Sequence, residues 1–200
     1  MVANNVNLLR QILNHISPVS EEEVEFLLKN SEEATLKKGD FLLKEGQMAR
    51  SIYFVLSGVF RVYQNIDGRE ITSYFSYSER NPFAASFPSF LTQSPSNEYV
   101  EAIESSSVIS ISYDRLNKLY DSSKGFERLG RILAEKNYLL AMERINSLQY
   151  QSARDRYNIF MKIYPGLLNR IPHHYIASYL GVTPESLSRI RKDLASSESK

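Results

Sequence analysis

A sharp reversal near the C-terminus constrains the fold of this chain more than any other feature. Two short helical patterns meet at Gly181 within residues 172–196, PHHYIASYLGVTPESLSRIRKDLAS. Gly181 allows the left-handed backbone that a sharp turn needs, and Ala177 is small enough for two steeply crossing helices to touch. Thr183 is a good N-cap, and Pro184 suits the first helical position after it. Because a generic helical hairpin does not need this full set, the segment predicts a helix-turn-helix.

The second helix of this motif presents a polar and basic outer face. An arginine fork can bind guanine O6 and N7, and a carboxylate can accept a hydrogen bond from cytosine N4. We therefore predict base contacts from Glu185, Ser186, Ser188 and Arg189. Phosphate contacts are expected from Thr183, Arg170, His173, Arg191 and Lys192. Two plainer interpretations stay open: Glu185 and Arg189 can form an exposed ion pair along the helix, and His173 can simply be solvated.

The charge of the chain is unevenly distributed. The formal net charge is only +1, yet residues 150–200 carry 8 Lys or Arg against 4 Asp or Glu. Residues 1–149 carry 16 basic and 19 acidic side chains. A basic C-terminal quarter is expected of a module that binds a polyanion, although a solvated surface can carry a similar excess.

The middle of the chain has a different pattern of residue types. From about Ala34, short segments rich in Phe, Tyr, Val and Ile are separated by glycines. This spacing predicts a small all-β sandwich or barrel. The clearest strands are expected at 59–64, 70–75, 100–103 and 108–111. The first two should form a hairpin, because Asp67-Gly68 between them suits a tight turn.

Helical regions flank this β-rich part. Ser20 and Glu23 predict a capping box at the start of the second of two short N-terminal helices. After Ser122-Ser123, apolar residues recur at helical spacing over some 25 residues without a proline. This long helix either packs on its own β-domain or pairs with a second copy of the chain. We favour the dimer because Lys136 and Glu143 interrupt the apolar stripe.

The succession of these segments resembles the Crp/Fnr family of bacterial transcription regulators. The C-terminal segment is similar to that family's helix-turn-helix, and KKGDFLLKEG, continuing through SIYFVLSGVFRVYQNIDGREI, is similar to its cyclic-nucleotide-binding β-roll. The resemblance implies an α+β fold. An antiparallel β-roll of the jelly-roll type with flanking helices would occupy 1–123, a dimerisation helix and hinge 124–150, and a helix-turn-helix domain 151–200. It also implies a homodimer on a pseudo-palindromic operator in double-stranded DNA, with RNA polymerase as a further partner.

One segment departs from that family's phosphate-binding pattern. Members that bind cyclic AMP carry Gly-Glu at the start of a short helix and Arg-Ser/Thr-Ala after it. Here the segment SERNPFAASFPSFLTQSPSNEYVEAIE has no glycine and places Ser96-Asn97 where Arg-Ser/Thr is expected. Cyclic AMP is therefore not expected to bind; the alternatives are another small effector or aromatic side chains that fill the pocket. The residues expected to line this pocket are Arg80, Phe83, Phe87 and Phe90.

Two further departures concern cofactors and the end of the chain. The family's oxygen sensors hold iron–sulfur clusters with cysteines, and its carbon monoxide sensor ligates haem through cysteine and histidine. This chain has no cysteine and only three histidines, so neither haem, an iron–sulfur cluster nor a metal site is expected. After Ile190 only RKDLASSESK remains, which is too short for the β-hairpin wing that many relatives carry.

Other functional classes fit the sequence less well. A glycine-rich phosphate loop, a metal-ligand cluster and a nucleophile elbow are all missing, so we do not expect an enzyme. The chain shows neither a long apolar stretch nor a signal peptide, which predicts a cytoplasmic protein without a membrane span. The alternative function is a β-roll that regulates a partner protein without binding specific DNA.

Overall fold

The computed structural model describes residues 2–198, and the side chains of residues 7–196. The end of the expected 151–200 domain, residues 199 and 200, therefore lies outside the described residues. The helices are α1 Val2–Ile16, α2 Glu21–Lys29, α3 Phe87–Thr92, α4 Tyr113–Ser122, α5 Lys124–Tyr150, α6 Ala153–Ile163, α7 His173–Leu180 and α8 Pro184–Glu198. The strands are β1 Glu32–Leu36, β2 Phe41–Leu43, β3 Ser51–Ser57, β4 Phe60–Ile66, β5 Arg69–Ser76, β6 Phe83–Ala84, β7 Tyr99–Ala102 and β8 Ser106–Ser112.

Two antiparallel sheets form the β-roll, with strand orders β1-β8-β3-β6 and β2-β7-β4-β5. Alternate apolar side chains of both sheets fill the space between them, together with one side chain of α3: Leu43, Val55, Phe60, Val62, Phe90, Val100 and Val108. The predicted hairpin is β4 and β5, which pair from Phe60–Ser76 to Ile66–Arg69 around the Asp67-Gly68 turn. The predicted α+β fold is confirmed.

The N-terminal helices and the start of α5 pack together over the first sheet. The predicted capping box is present, because Ser20 Oγ accepts from the Glu23 amide at 3.1 Å and Glu23 Oε2 accepts from the Ser20 amide at 2.8 Å. Glu23 also accepts a hydrogen bond from the hydroxyl of Ser123, the N-cap of α5. The hydrogen bond from Ser123, and then that from the Ser20 backbone, lower the pKa of Glu23. One carboxylate thus joins the starts of α2 and α5.

Helix α5 is buried only near its start. Phe126 and Leu129 enter the apolar cluster beneath α1, whereas the later part of the helix leaves large apolar side chains exposed. These exposed residues are Tyr138, Leu139, Leu140, Ile145, Leu148 and Tyr150. Packing on the roll of the same chain therefore accounts for only part of the apolar stripe.

The C-terminal helices cover the outer face of the second sheet. Four roll residues, Val59, Phe75, Tyr77 and Ile103, belong to the same buried apolar cluster as the core of α6, α7 and α8. The members from these helices and the segments between them include Tyr157, Phe160, Leu167, Ile176, Leu180 and Leu187. The helix-turn-helix is therefore packed on the roll rather than suspended from α5 alone.

The turn between β3 and β4 generates a stability prediction. Gly58 has φ +88°, and a Cβ there would lie 2.0 Å from Ser106 Oγ, whereas Gly39 has φ +87° with open space around it. We expect Gly58→Ala to lower the free energy of unfolding by about 2–4 kcal/mol. Gly39→Ala, with backbone strain alone, should cost about 1–2 kcal/mol. Urea unfolding measures both, and equal losses would contradict the role of the close approach to Ser106.

Candidate nucleic-acid interface and roll cavity

The helix-turn-helix forms as its sequence predicts. Helix α7 ends at Gly181, whose φ of +68° is left-handed, and the Val182 amide donates to the Ala177 carbonyl at 3.0 Å. Thr183 caps α8, because its Oγ1 accepts from the Ser186 amide at 3.2 Å. Ala177 is fully buried at the contact between the two helices. The turn therefore fixes the direction of α8 through backbone hydrogen bonds and close packing.

The four residues predicted to contact bases lie on the outer face of α8. Glu185, Ser188 and Arg189 are exposed, and Ser186 is half-buried beside the cap. Hydrogen bonds from its own backbone amide, then from Thr183, lower the pKa of Glu185, with a smaller contribution from the charge of Arg189. The carboxylate is thus held at the start of α8, and Arg189 is not among the ion pairs formed by the described residues. The guanidinium of Arg189 remains open to a ligand.

The residues predicted to contact phosphate fall into two places. Thr183 and His173 lie at the N-terminal ends of α8 and α7, and Arg191 and Lys192 lie further along α8, where Arg191 Nη1 is 2.8 Å from His173 Nε2. Arg170 does not join them, because its guanidinium donates to Glu104 Oε1 of the roll at 2.5 Å and approaches Glu79 to 4.0 Å. The hydrogen bond to Glu104 raises the pKa of Arg170. Arg170 is therefore held by carboxylates of the roll and is not free to bind phosphate.

Two arginines that the sequence reading missed hold the end of α7. Arg144 of α5 donates to the Tyr179 carbonyl and lies 4.1 Å from the centroid of its ring. Arg156 of α6 donates from Nε to the Leu180 carbonyl at 2.8 Å. Cations at the last carbonyls of a helix are favourable because these groups lack partners within the helix. Arginines are common on helices, so no signal in the sequence distinguished these two.

The roll contains a cavity of about 390 Å³ near the start of α3. Its lining mixes apolar and polar side chains: Leu42, Leu43, Gln47, Met48, Ala49, Arg50, Ser51, Tyr53, Ala85, Ser86 and Val100. Behind Ser86 lies the buried Glu98, which accepts the Ser86 hydroxyl at 2.7 Å. Burial raises the pKa of Glu98, while the hydrogen bonds from Ser86 and Ser73 act in the opposite direction.

The aromatic pocket predicted from this region is not formed. Phe83 packs edge-on against Phe54 and lines a separate apolar cavity of about 60 Å³ beneath α1 and α5. The other three residues also lie apart: Phe87 stacks on Tyr74, Phe90 is buried in the roll against Tyr113, and Arg80 lies 5.8 Å from the ring of Tyr164. Strand β6 and helix α3 turn these side chains to different faces, so they do not enclose a common space.

The described part of the chain contains neither a cluster of metal-binding side chains nor a membrane-spanning helix. Among residues 2–198, no three His, Cys, Asp or Glu side chains come close enough to hold a metal ion. The helices of the same residues include none that is both long enough and apolar enough to cross a membrane.

Comparison with known proteins places this architecture. Residues 33–123 match the cyclic nucleotide-binding domain family. The structure is similar to the c-di-GMP-responsive global regulator CLP of Xanthomonas campestris, with 17% identity, a TM-score of 0.71 and coverage of 90% of this chain and 93% of that one. FixK2 of Bradyrhizobium japonicum is similar too, with 22% identity, a TM-score of 0.69, and 84% and 86% coverage.

A third similar structure belongs to a named family of regulators. It is a regulator of the Crp/Fnr family from Eubacterium rectale, with 18% identity, a TM-score of 0.66, and coverage of 90% of this chain and 85% of that one. The chain has the fold of the Crp/Fnr regulators. No curated protein matches it by sequence.

The cyclic nucleotide that the matched domain family implies does not fit the roll of this chain. A cyclic phosphate needs cationic or amide donors. At the position expected for the phosphate-binding arginine, Ser96 is buried and its hydroxyl donates to the Glu98 carbonyl at 3.1 Å. The neighbouring buried carboxyl is that of Glu98, which would repel a phosphate when ionised. The cavity is lined by one cationic side chain, Arg50, but it does not stand at the position of the phosphate-binding arginine, so the usual set of phosphate donors is incomplete.

This mismatch predicts that cyclic AMP does not bind. Isothermal titration calorimetry of the full chain with cyclic AMP should give no saturable heat up to about 1 mM, a level that corresponds to less than about 4 kcal/mol of binding free energy. Sodium chloride at equal ionic strength provides the dilution control. Saturable binding in the micromolar range at one site per chain would contradict this assignment of the roll.

Proposed function

We propose that this chain is a sequence-specific DNA-binding transcription regulator of the Crp/Fnr type that acts as a homodimer. The observation that supports it best is the exposed, polar and basic face of α8 on a closely packed helix-turn-helix. Helices of this length fit the major groove of B-DNA, where each base pair presents a distinct pattern of donors and acceptors. The DNA partner would be double-stranded.

Arg189 is the principal base reader in this proposal. It is exposed, takes part in none of the ion pairs found among residues 7–196, and has the fork geometry to bind guanine O6 and N7. Glu185 lies one turn earlier on the same side of α8 and is ionised, so it can accept from cytosine N4. Ser186 and Ser188 complete the face. Ser188 is the more accessible of the two because Ser186 is half-buried beside the cap.

The phosphate contacts would come from the middle of α8 and from the starts of α7 and α8. Lys192 and Arg191 follow the base-reading face along α8, and His173 and Thr183 lie at the starts of α7 and α8. The positive charges of Lys192 and Arg191 attract an anion, and so do the N-termini of the two helices. These contacts would set affinity and salt dependence rather than sequence preference.

The exposed stripe of α5 supports a homodimer. Large apolar residues that remain exposed over several turns of one helix favour a partner helix with the same pattern. A two-fold axis along α5 would present two copies of α8, so the operator should be pseudo-palindromic. RNA polymerase is a further candidate partner for a regulator bound in this way. A small effector other than cyclic AMP is the candidate occupant of the roll.

The proposed base contacts and the proposed phosphate contacts predict different effects of substitution on DNA binding. Arg189→Ala should cost about 1–3 kcal/mol on an operator selected by the wild-type protein and relax the preference at one base pair per half-site. Lys192→Ala should weaken binding to all sequences alike and flatten the salt dependence by about one unit of slope. Fluorescence anisotropy with the operator and each single-base variant of it measures both.

These results also decide between the two candidate functions. If Arg189→Ala weakened every sequence equally and left the base preferences intact, Arg189 would not be a base reader. If wild-type binding showed neither a preferred sequence nor an increase on lowering the salt concentration, the roll would be better interpreted as a regulator of a partner protein.

The dimer interface is tested by one charge on α5. Leu139 is 60% exposed in the single chain, and Leu139→Glu would bury a carboxylate in the proposed interface. We expect the dimer to weaken by at least about 2 kcal/mol, or about 30-fold in Kd, measured by sedimentation equilibrium. The control is Ser105→Glu, which adds the same charge at an exposed turn before β8. An unchanged dimer in Leu139→Glu would place the contact elsewhere.

A further inference from the structure

Arg61 is the largest side chain that the chain buries completely. It is 0% exposed, although it lies on β4 opposite Phe75, on the outer face of the second sheet. Nε donates to Thr72 Oγ1 at 2.9 Å, and Nη1 donates to Glu70 Oε2 at 2.7 Å, with Glu101 at 3.9 Å. Nη2 has no hydrogen-bond partner. Burial of this cation therefore costs free energy that the hydrogen bonds offset only in part.

The helix-turn-helix completes the surroundings of Arg61. The guanidinium carbon lies 3.7 Å from the ring centroid of Tyr175 on α7 and 4.0 Å from that of Tyr63 on β4. A cation is attracted to aromatic faces, and more strongly where water is excluded. Without α7 in place, the guanidinium of Arg61 would lose its contact with the ring of Tyr175 and would become exposed to water.

A second contact docks the same face of α7 on β5. Ser178 lies three residues after Tyr175, so both side chains project from one side of the helix. Its Oγ accepts from the Thr72 amide at 2.9 Å and donates to the Glu70 carbonyl at 2.7 Å. Thr72 thus binds Arg61 through its side chain and Ser178 through its backbone. Helix α7 thus docks on one short segment of β5, at Thr72. The contact joins residues that lie more than 100 positions apart in the sequence.

This docking leaves the DNA-reading side of the motif open. Tyr175 and Ser178 face the roll, whereas Glu185, Ser188 and Arg189 of α8 stay exposed. The end of α7 is held independently on α5 and α6, by Arg144 and Arg156. Helix α5 carries the candidate dimer stripe. Because α7 is held both on β5 and at its C-terminal end, its position relative to the proposed dimer axis is fixed.

We propose that Arg61 is a positioning residue: stacked on Tyr175, it holds the helix-turn-helix against the β4–β5 hairpin and so sets the spacing between the two half-sites that the dimer recognises. This inference rests on the proposed DNA-binding function. A hinge fixed only by Arg144 and Arg156 would leave the motif free to tilt, and the dimer would then tolerate several spacings. Two base pairs change the separation of half-sites by about 7 Å and their rotation by about 70°, which a rigid dimer cannot follow.

The docking half of the proposal is tested without DNA. The Thr72 amide donates to Ser178, so its hydrogen exchange, followed by NMR, reports whether α7 is docked. We expect exchange to accelerate at least about tenfold in Arg61→Met and in Tyr175→Leu, while the Ala102 amide, bonded to Asp40 within the roll, stays protected. Ser178→Ala sets the rate of an unbonded Thr72 amide. The matched control is Arg131→Met, which removes an arginine that is 63% exposed on α5.

The positioning half is tested with operators in which the wild-type spacing is lengthened or shortened by one and two base pairs. The wild-type protein and Arg131→Met should lose at least about tenfold in affinity at a change of two base pairs. Arg61→Met and Tyr175→Leu should lose less than about threefold in affinity at the same change in spacing. The double variant should behave like either single one, because both remove the same contact. Tyr175→Leu leaves the ion pairs of Arg61 intact, so it remains informative if Arg61→Met fails to fold.

Three results would overturn the inference, and they are distinguishable. Unchanged Thr72 exchange in a folded Tyr175→Leu would show that the stacking does not hold α7. If the Thr72 amide exchanged faster in the variants but their preference for operator spacing were unchanged, the role of Arg61 would be purely structural. If the wild-type protein preferred no DNA sequence, the proposed function would fail and half-site positioning with it, while Thr72 exchange would still decide whether the stack docks α7.

Discussion

The architecture depends on how the outer face of the β4–β5 pair is covered. That face carries Phe75 and Tyr77, whose exposure to water would be costly, together with the cation of Arg61, whose burial costs free energy. Helix α7 and its neighbours cover it, and the roll and the helix-turn-helix consequently share one apolar cluster. The two parts are therefore mechanically connected through β5 as well as through α5.

Strand β5 is therefore a structural element that the roll and the helix-turn-helix share. Thr72 lies on β5 beneath α7, and the next residue, Ser73, reaches inward to Glu98 at 3.4 Å. Glu98 in turn binds Ser86 at the wall of the roll cavity. A ligand that displaced Ser86 or Glu98 would act one residue away from the docking point of the helix-turn-helix. Arg50 is the one cationic side chain of that cavity wall, which otherwise lacks the cationic donors of a cyclic-phosphate site.

Local patterns made much of the fold predictable. Ser20 with Glu23, Asp67-Gly68, and Ala177 with Gly181 each act through neighbours within five residues, so the sequence reading placed the capping box, the hairpin and the helix-turn-helix correctly. Contacts between distant residues were not predictable. The strand pattern does not show that Arg61 contacts Tyr175, which lies more than a hundred positions later. The local sequence likewise does not show that Arg170 pairs with Glu104, in the turn between β7 and β8. The predicted aromatic pocket is wrong for a similar reason, because β6 and α3 direct the predicted side chains to different faces.

In the proposed function, a dimer built on α5 presents α8 twice to a specific operator. Selection of bound sequences from a random DNA pool with the whole 200-residue chain is the decisive measurement. We expect an enriched inverted repeat with half-sites about one helical turn apart, centre to centre, and a G·C pair at the position that Arg189 reaches. Enrichment of no motif, or of a single asymmetric site bound by one chain, would contradict it.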